Sequence, residues 1–144
     1  MKVLLLTFLI GLLFGGAAVA AEEIAIVKQV QGDVSVKRAG TVLVVRQSDK
    51  LQAGDILMTG SKSQVGVIFH DGSVLSLEEK SLLRIEEFIF QPIESKFNFK
   101  LFLKKGAALF ESGKIGVLAP ESFSFEIPAG TIGIRGTKFL VEVR

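Results

Sequence analysis

The 144-residue chain contains no cysteine, no tryptophan, no tyrosine and a single histidine. Without cysteine there is no disulfide, no thiolate metal site, no cysteine nucleophile and no lipid-modified cysteine. One imidazole with no thiol leaves no donor set for a dedicated transition-metal centre, and no loop of alternating Asp or Asn has calcium spacing. The missing indole and phenol rings remove the usual stacking platforms of a sugar-binding cleft. Excess charge of one sign is also lacking, with 17 Lys and Arg against 15 Asp and Glu. Lys37-Arg38 and Lys104-Lys105 are too short to make a nucleic-acid stripe. No cofactor and no nucleic-acid partner are expected.

Long apolar runs are confined to the beginning. Met1 to Ala20 reads as a secretory signal peptide: Lys2, an apolar run from Val3 to Phe14, then Gly15-Gly16-Ala17-Ala18-Val19-Ala20. Small residues before Ala20 or Ala21 suit a cut after either. The alternative is an uncleaved anchor, but the run is shorter than the roughly 20 apolar residues a membrane helix needs. The expected organisation is a signal peptide over 1–20 and one domain over 22–144, periplasmic or extracellular, not a lipoprotein, and not inserted in a membrane after cleavage. Lys2 is the only charged residue in the leader, so the remainder is nearly neutral. A small exported domain without disulfides must be held by its apolar core.

Beyond Ala21 short apolar runs alternate with polar residues. Ile24, Ile26 and Val30 lead to a turn at Gln31-Gly32-Asp33. Val34 and Val36 precede Arg38-Ala39-Gly40 and the β-branched run Thr41 to Val45. Asp71-Gly72, between Val65–Phe69 and Val74–Leu77, supplies two residues tolerant of positive φ and marks a tight hairpin. Odd positions are apolar in Phe97–Lys104 and in Phe123–Ile127, and Phe139, Val141 and Val143 repeat the pattern. Such alternation puts one face on a core and the other in water, and the phenylalanines at these positions are read as core filling. Ser76-Leu77-Glu78-Glu79 resembles a capping box, and Leu82, Ile85 and Ile89 have helix-like spacing. However, Leu83 and Ile85 alternate with Arg84 and Glu86, so a turn at Glu78–Ser81 followed by a strand is favoured over a helix. The expected fold is all-β, about ten short strands in a two-layer sandwich or a short β-solenoid-like arrangement.

Few residues invite a chemical role. His70, Asp71 and Ser73 contain the members of a hydrolytic triad, but neighbours on an extended chain point apart, so a solvated turn histidine is expected. The pairs Glu22-Glu23, Glu78-Glu79 and Glu86-Glu87 do not by themselves place two carboxylates across a cleft, and are read as solvated faces. Gly130-Thr131-Ile132-Gly133-Ile134-Arg135-Gly136-Thr137 is glycine-rich, yet a phosphate loop requires a following helix, and Lys138–Val143 alternates as a strand. Arg135 and Thr137 are the candidates for binding, with a structural ion pair the alternative for Arg135. Strand edges offer a further, generic way to take up peptides.

Four blocks in order resemble the FecR domain family. They are Gly32-Asp33-Val34-Ser35-Val36, the stretch Leu51 to Gly60 containing Gly54-Asp55, and Ser63 to Leu77 containing Asp71-Gly72-Ser73. The last is Gly106–Leu109 with Ile127-Pro128-Ala129-Gly130 through Arg135-Gly136-Thr137-Lys138-Phe139. Ile127 stands where members commonly carry Thr. The resemblance assigns Gly54, Asp55, Asp71, Gly72, Ser73, Pro128, Arg135, Gly136 and Thr137 to the family motif as structural residues. The best-known members of the family are inner-membrane regulators. They sense a TonB-dependent outer-membrane receptor and control an extracytoplasmic-function sigma factor through a cytoplasmic segment. The chain has no residues for that segment, so complete signal relay by it alone is not expected. The resemblance implies a non-enzymatic, exported interaction module for another envelope protein or a polymer. The alternative is a structural or assembly component that self-associates through strand edges.

Overall fold

The computed structural model describes residues 21–133 and 138–144, so the expected leader at 1–20 lies outside the described residues. The strands are β1 (Glu23–Gln31), β2 (Val34–Arg38), β3 (Thr41–Val44), β4 (Lys50–Gln52), β5 (Ile56–Thr59), β6 (Gln64–Phe69), β7 (Val74–Leu77), β8 (Leu82–Gln91), β9 (Lys96–Glu111), β10 (Phe123–Ile127), β11 (Gly130–Ile132) and β12 (Lys138–Val143); a short helix, α1 (Lys114–Leu118), follows β9. The fold is all-β, as expected from the alternation. The strands number twelve among the described residues rather than about ten, and they are not uniformly short, because β9 runs for 16 residues.

Nine strands follow one curled hydrogen-bonded path, β3-β2-β5-β8-β9-β7-β6-β1-β4, with β10 and β12 attached to β9 and β11 attached to β10. Strand β9 joins the two halves of that path. Its first part pairs with β8 and, in parallel, with β10; its last part pairs with β7 and β12. The switch has a local cause. Phe99, Leu101 and Leu103 are buried at odd positions, whereas Ala108 and Phe110 are buried at even ones. The pairing with β8 slips by one residue beside Lys104, next to Gly106 at φ +93°. A one-residue slip exchanges the two faces of a strand, so the same β9 turns its apolar side inward in both halves.

Bulges also explain two segments whose apolar spacing misleads. In β8 a register shift between Ile85 and Glu87 separates the buried pair Leu83 and Ile85 from buried Phe88. Of the residues with helix-like spacing only Ile85 is buried, with Leu82 half-buried and Ile89 exposed, and the chain is a strand after a turn at Glu79-Lys80, as favoured above. In β1 the expected face of Ile24, Ile26 and Val30 is corrected. Ala25 and Val27 are fully buried along with Ile24, and Ile26 is half-buried, because the register shifts between Glu23 and Ala25 and again after Val27.

The core is phenylalanine-rich. Phe99 lies 4.7 Å from Phe69, 4.8 Å from Phe88 and 5.2 Å from Phe123, and Phe110 lies 4.7 Å from Phe123 and 5.6 Å from Phe139, as ring centroids. These rings come from both halves of the path, so the cluster holds the halves together. Each such pair contributes about 0.5–1.5 kcal/mol beyond its burial.

Candidate functional site

Three polar motif residues, Asp55, Asp71 and Ser73, are buried at turns. At the β6–β7 hairpin the loop is His70-Asp71-Gly72, one residue longer than the tight turn expected. Gly72 N–H donates to the Phe69 carbonyl at 2.9 Å and Phe69 N–H to the Ser73 carbonyl at 2.9 Å, with Gly72 at φ +85°. That is a turn closed by a glycine bulge, in which only the glycine needs positive φ. Asp71 therefore has a different task. Its side chain is fully buried and accepts from Ser73 N–H at 3.0 Å, Ser73 Oγ–H at 2.7 Å and Ile115 N–H at 3.3 Å. Ser73 Oγ accepts from Gly113 N–H at 2.8 Å, and the Asp71 carbonyl accepts from Lys114 N–H at 2.8 Å. The hairpin is thus clamped to the start of α1. A Cβ on Gly113 would overlap the Asp71 carbonyl oxygen and the Ser73 nitrogen, which explains a glycine there. His70 is exposed and Asp71 is fully engaged without it, so the three residues form a structural turn.

Gly54-Asp55 makes a second clamp. Asp55, 1% exposed, accepts from Arg38 Nε at 2.9 Å, Arg38 Nη2 at 2.8 Å and Gln52 N–H at 2.8 Å. The forked guanidinium matches the two carboxylate oxygens, and Gly54 supplies the turn at φ +90°. The hydrogen bond to Asp55 is the main cause holding the Arg38 guanidinium above its ordinary pKa, with partial burial opposing it. A third clamp went unseen in the sequence: Ser81 Oγ accepts from Ala107 N–H at 3.0 Å, and Ser81 N–H donates to Thr59 Oγ1 at 2.9 Å. Gly106 is pressed against Ser81 with no space for a Cβ. Only packing reveals this contact, since the partners are far apart in sequence and Ser81 looks like an ordinary turn residue.

Of the remaining expected positions, Pro128 lies exposed in the turn between β10 and β11. Arg135, Gly136 and Thr137 lie outside the described residues. The acidic pairs sit on the surface beside polar or basic neighbours: Glu23 faces Lys50 at 3.1 Å, Glu86 faces Arg84 at 3.6 Å, and Glu79 accepts from Lys62 N–H at 2.6 Å. Among the described residues no group of three metal-ligating side chains converges, and no helix is long and apolar enough to cross a membrane.

What the sequence left unmarked is the exposure of β3. All four of its residues are exposed, with Val42 at 60%, Leu43 at 42% and Val44 at 74%. Among the described residues strand β3 pairs only with β2, which it follows through a two-residue loop in which Ala39 and Gly40 both have positive φ. Such a loop matches the twist of the two strands and closes a short hairpin whose inner strand, β2, also pairs with β5. Between β3 and β4 lies an open groove of about 550 Å³, with Val36, Leu43, Val44, Val45 and Leu51 as its apolar lining and three cations, Arg38, Arg46 and Lys50, against one carboxylate, Asp49, beside them. The unbroken Val-Leu-Val-Val run reads as a buried strand, so no pattern in the sequence signals this exposure.

The FecR protein family matches residues 55–144, more than half of the chain, and the chain belongs to that family. The match takes in Asp55, the Asp71-Gly72-Ser73 hairpin and the C-terminal block, and begins after the Gly32–Val36 stretch. No curated protein matches the chain. Among solved structures, a cell surface anchoring domain is similar at 24% identity and a TM-score of 0.42, over 43% of this chain and 83% of that one.

Proposed function

We propose that this FecR-family chain is an exported, non-enzymatic interaction module that binds another envelope protein or polymer in the periplasm or outside the cell. The observation that carries the reading is the contrast between buried motif side chains and an exposed apolar β3. Asp55, Asp71 and Ser73 have their oxygens engaged in clamps, whereas Val42, Leu43 and Val44 stand in solvent on a strand with one free edge. An exposed apolar edge is a hazard in isolation and a docking surface with a partner. The signal-like residues 1–20 support export. A link to cell-surface signalling, implied by the family resemblance, would run through such a partner. In the same reading the strand groups on either side of β9 are the two layers of a sandwich rather than turns of a solenoid; the support is a phenylalanine cluster drawn from both.

The test is photo-cross-linking in intact cells, with a photoreactive residue in place of Val42, after fractionation to locate the chain. A specific adduct in the envelope fraction, absent when the reactive residue replaces Lys80 instead, is the expected result. A chain retained in the cytoplasm overturns the export reading, and cross-linking no stronger at position 42 than at position 80 overturns the binding reading. Self-association through the same edge is the second reading, favoured by the same exposed strand. It predicts concentration-dependent sedimentation that Val44→Pro abolishes.

A further inference from the structure

Resting on that reading, we propose that the free edge of β3 takes up an acidic, extended segment of a partner protein as an added strand. The direction of the backbone groups comes first. Val45 N–H donates to the Val34 carbonyl at 2.9 Å, on the β2 side. Alternation along an antiparallel strand then aims the N–H and C=O groups of Val44 and Val42 away from β2, at the open edge. Proteins blunt such edges with a strand lysine, a proline or a bulge. Thr41-Val42-Leu43-Val44 has none of these and pairs with β2 in unbroken register. The strand at the other end of the path, β4, is treated differently, because Arg38 Nη2 donates to the Lys50 carbonyl at 3.1 Å.

Charge selects the occupant. Lys37 lies directly across from Val42, and Arg46 follows Val44 by two residues. Both are exposed, and among the described residues neither belongs to an ion pair. The other cations of this stretch are engaged, Arg38 with Asp55 and Lys50 with Glu23. A second copy of the chain would bring the same positive strip against itself. An acidic strand neutralises it, with carboxylates toward Lys37 and Arg46 and alternate apolar side chains over Leu43, Val45 and Leu51 in the groove.

The test uses the full chain and a synthetic peptide of about nine residues, alternating Val and Glu, read by fluorescence anisotropy and amide hydrogen exchange. Binding is expected to slow exchange at Val42 and Val44. A Val-Lys peptide, and a Val-Glu peptide N-methylated at alternate backbone nitrogens, are expected not to bind. Lys37→Glu with Arg46→Glu is expected to weaken the Val-Glu peptide by about tenfold or more. Val44→Pro, which removes an outward donor at a position edge strands tolerate, is expected to abolish binding. Should that variant unfold, the charge-reversed pair decides. Binding of the Val-Glu peptide unchanged by the charge reversal, or equal binding of the Val-Lys peptide, overturns the proposal. Protection of β3 that rises with protein concentration and no peptide assigns the edge to a second copy and also overturns it. If position 42 still cross-links an envelope partner while the Val-Glu peptide fails, the acidic-strand proposal falls and the interaction module stands.

Discussion

Two hairpins of this chain carry glycine turns, yet they are built to opposite ends. The β6–β7 loop at His70–Gly72 is pinned by a buried carboxylate and a buried hydroxyl to the start of α1. The β2–β3 loop at Ala39-Gly40 is anchored on its β2 side, by Arg38 to Asp55 and by pairing with β5, while its second strand is open to solvent. The difference teaches where family-motif residues act. A motif rich in Asp, Gly and Ser looks like chemistry, but Asp71 is fully buried and both its oxygens accept hydrogen bonds from the protein itself. Among the described residues, the exposed apolar strand β3 lies apart from these buried motif side chains.

That contrast can be broken from the rigid side first. Gly106→Ala is expected to be the most damaging change, about 3 kcal/mol or more, because it adds a Cβ at positive φ against the backbone of Ser81. Urea unfolding with an unchanged slope and a lower midpoint would check it. Asp71→Ala should follow at about 2–3 kcal/mol, since the Ser73 and Ile115 amides lose their acceptor in a buried site. Exchange at those two amides should rise with it. Arg38→Ala is expected to cost about 1–2 kcal/mol, less than a fully buried pair, because Arg38 is partly exposed while Asp55 is left with a single donor. The sign of its pH dependence follows from the raised pKa of Arg38. The pair's contribution is complete below the ordinary arginine value and is lost only above the raised one. Melting temperatures of native chain and Arg38→Ala should therefore differ by a constant amount between about pH 7 and 10.

The open side should behave in reverse. Val42→Ser combined with Val44→Ser removes exposed methyl groups, so stability should stay within about 0.5 kcal/mol of native. The same double change should remove envelope cross-links made from position 41. A large loss of stability instead would mean that β3 belongs to the core, and the distinction between the two hairpins would collapse.

Much of the fold was legible because it is local. Alternation marks β10, β12 and the first part of β9, and Asp71-Gly72 marks a hairpin with its glycine at positive φ. The turn length was misjudged because Asp is tolerant of positive φ in general, whereas here its carboxylate is required elsewhere. Bulges defeated simple counting in β1 and β8, since one extra residue moves every later side chain to the other face. Among site residues, the family motif marks Asp55, Asp71 and Ser73 in the sequence, and the structure buries all three. Their partners Arg38, Gly113 and Ile115 are not marked, because a hydrogen bond spanning 44 residues leaves no pattern along the chain.

The sequence by itself determined an all-β chain: period-two hydrophobicity and punctuating Gly and Asp are properties of the backbone and its nearest neighbours. Its lack of cysteine excludes disulfides, so only packing and hydrogen bonds can fasten distant parts of the chain. Only the tertiary structure decided which apolar strand is interior and which is surface. Val65–Phe69 and Thr41–Val45 are similar in composition, but the first is paired on both edges and the second on one. Burial depends on what packs alongside a strand, and that is settled by the whole path of the chain rather than by the strand itself.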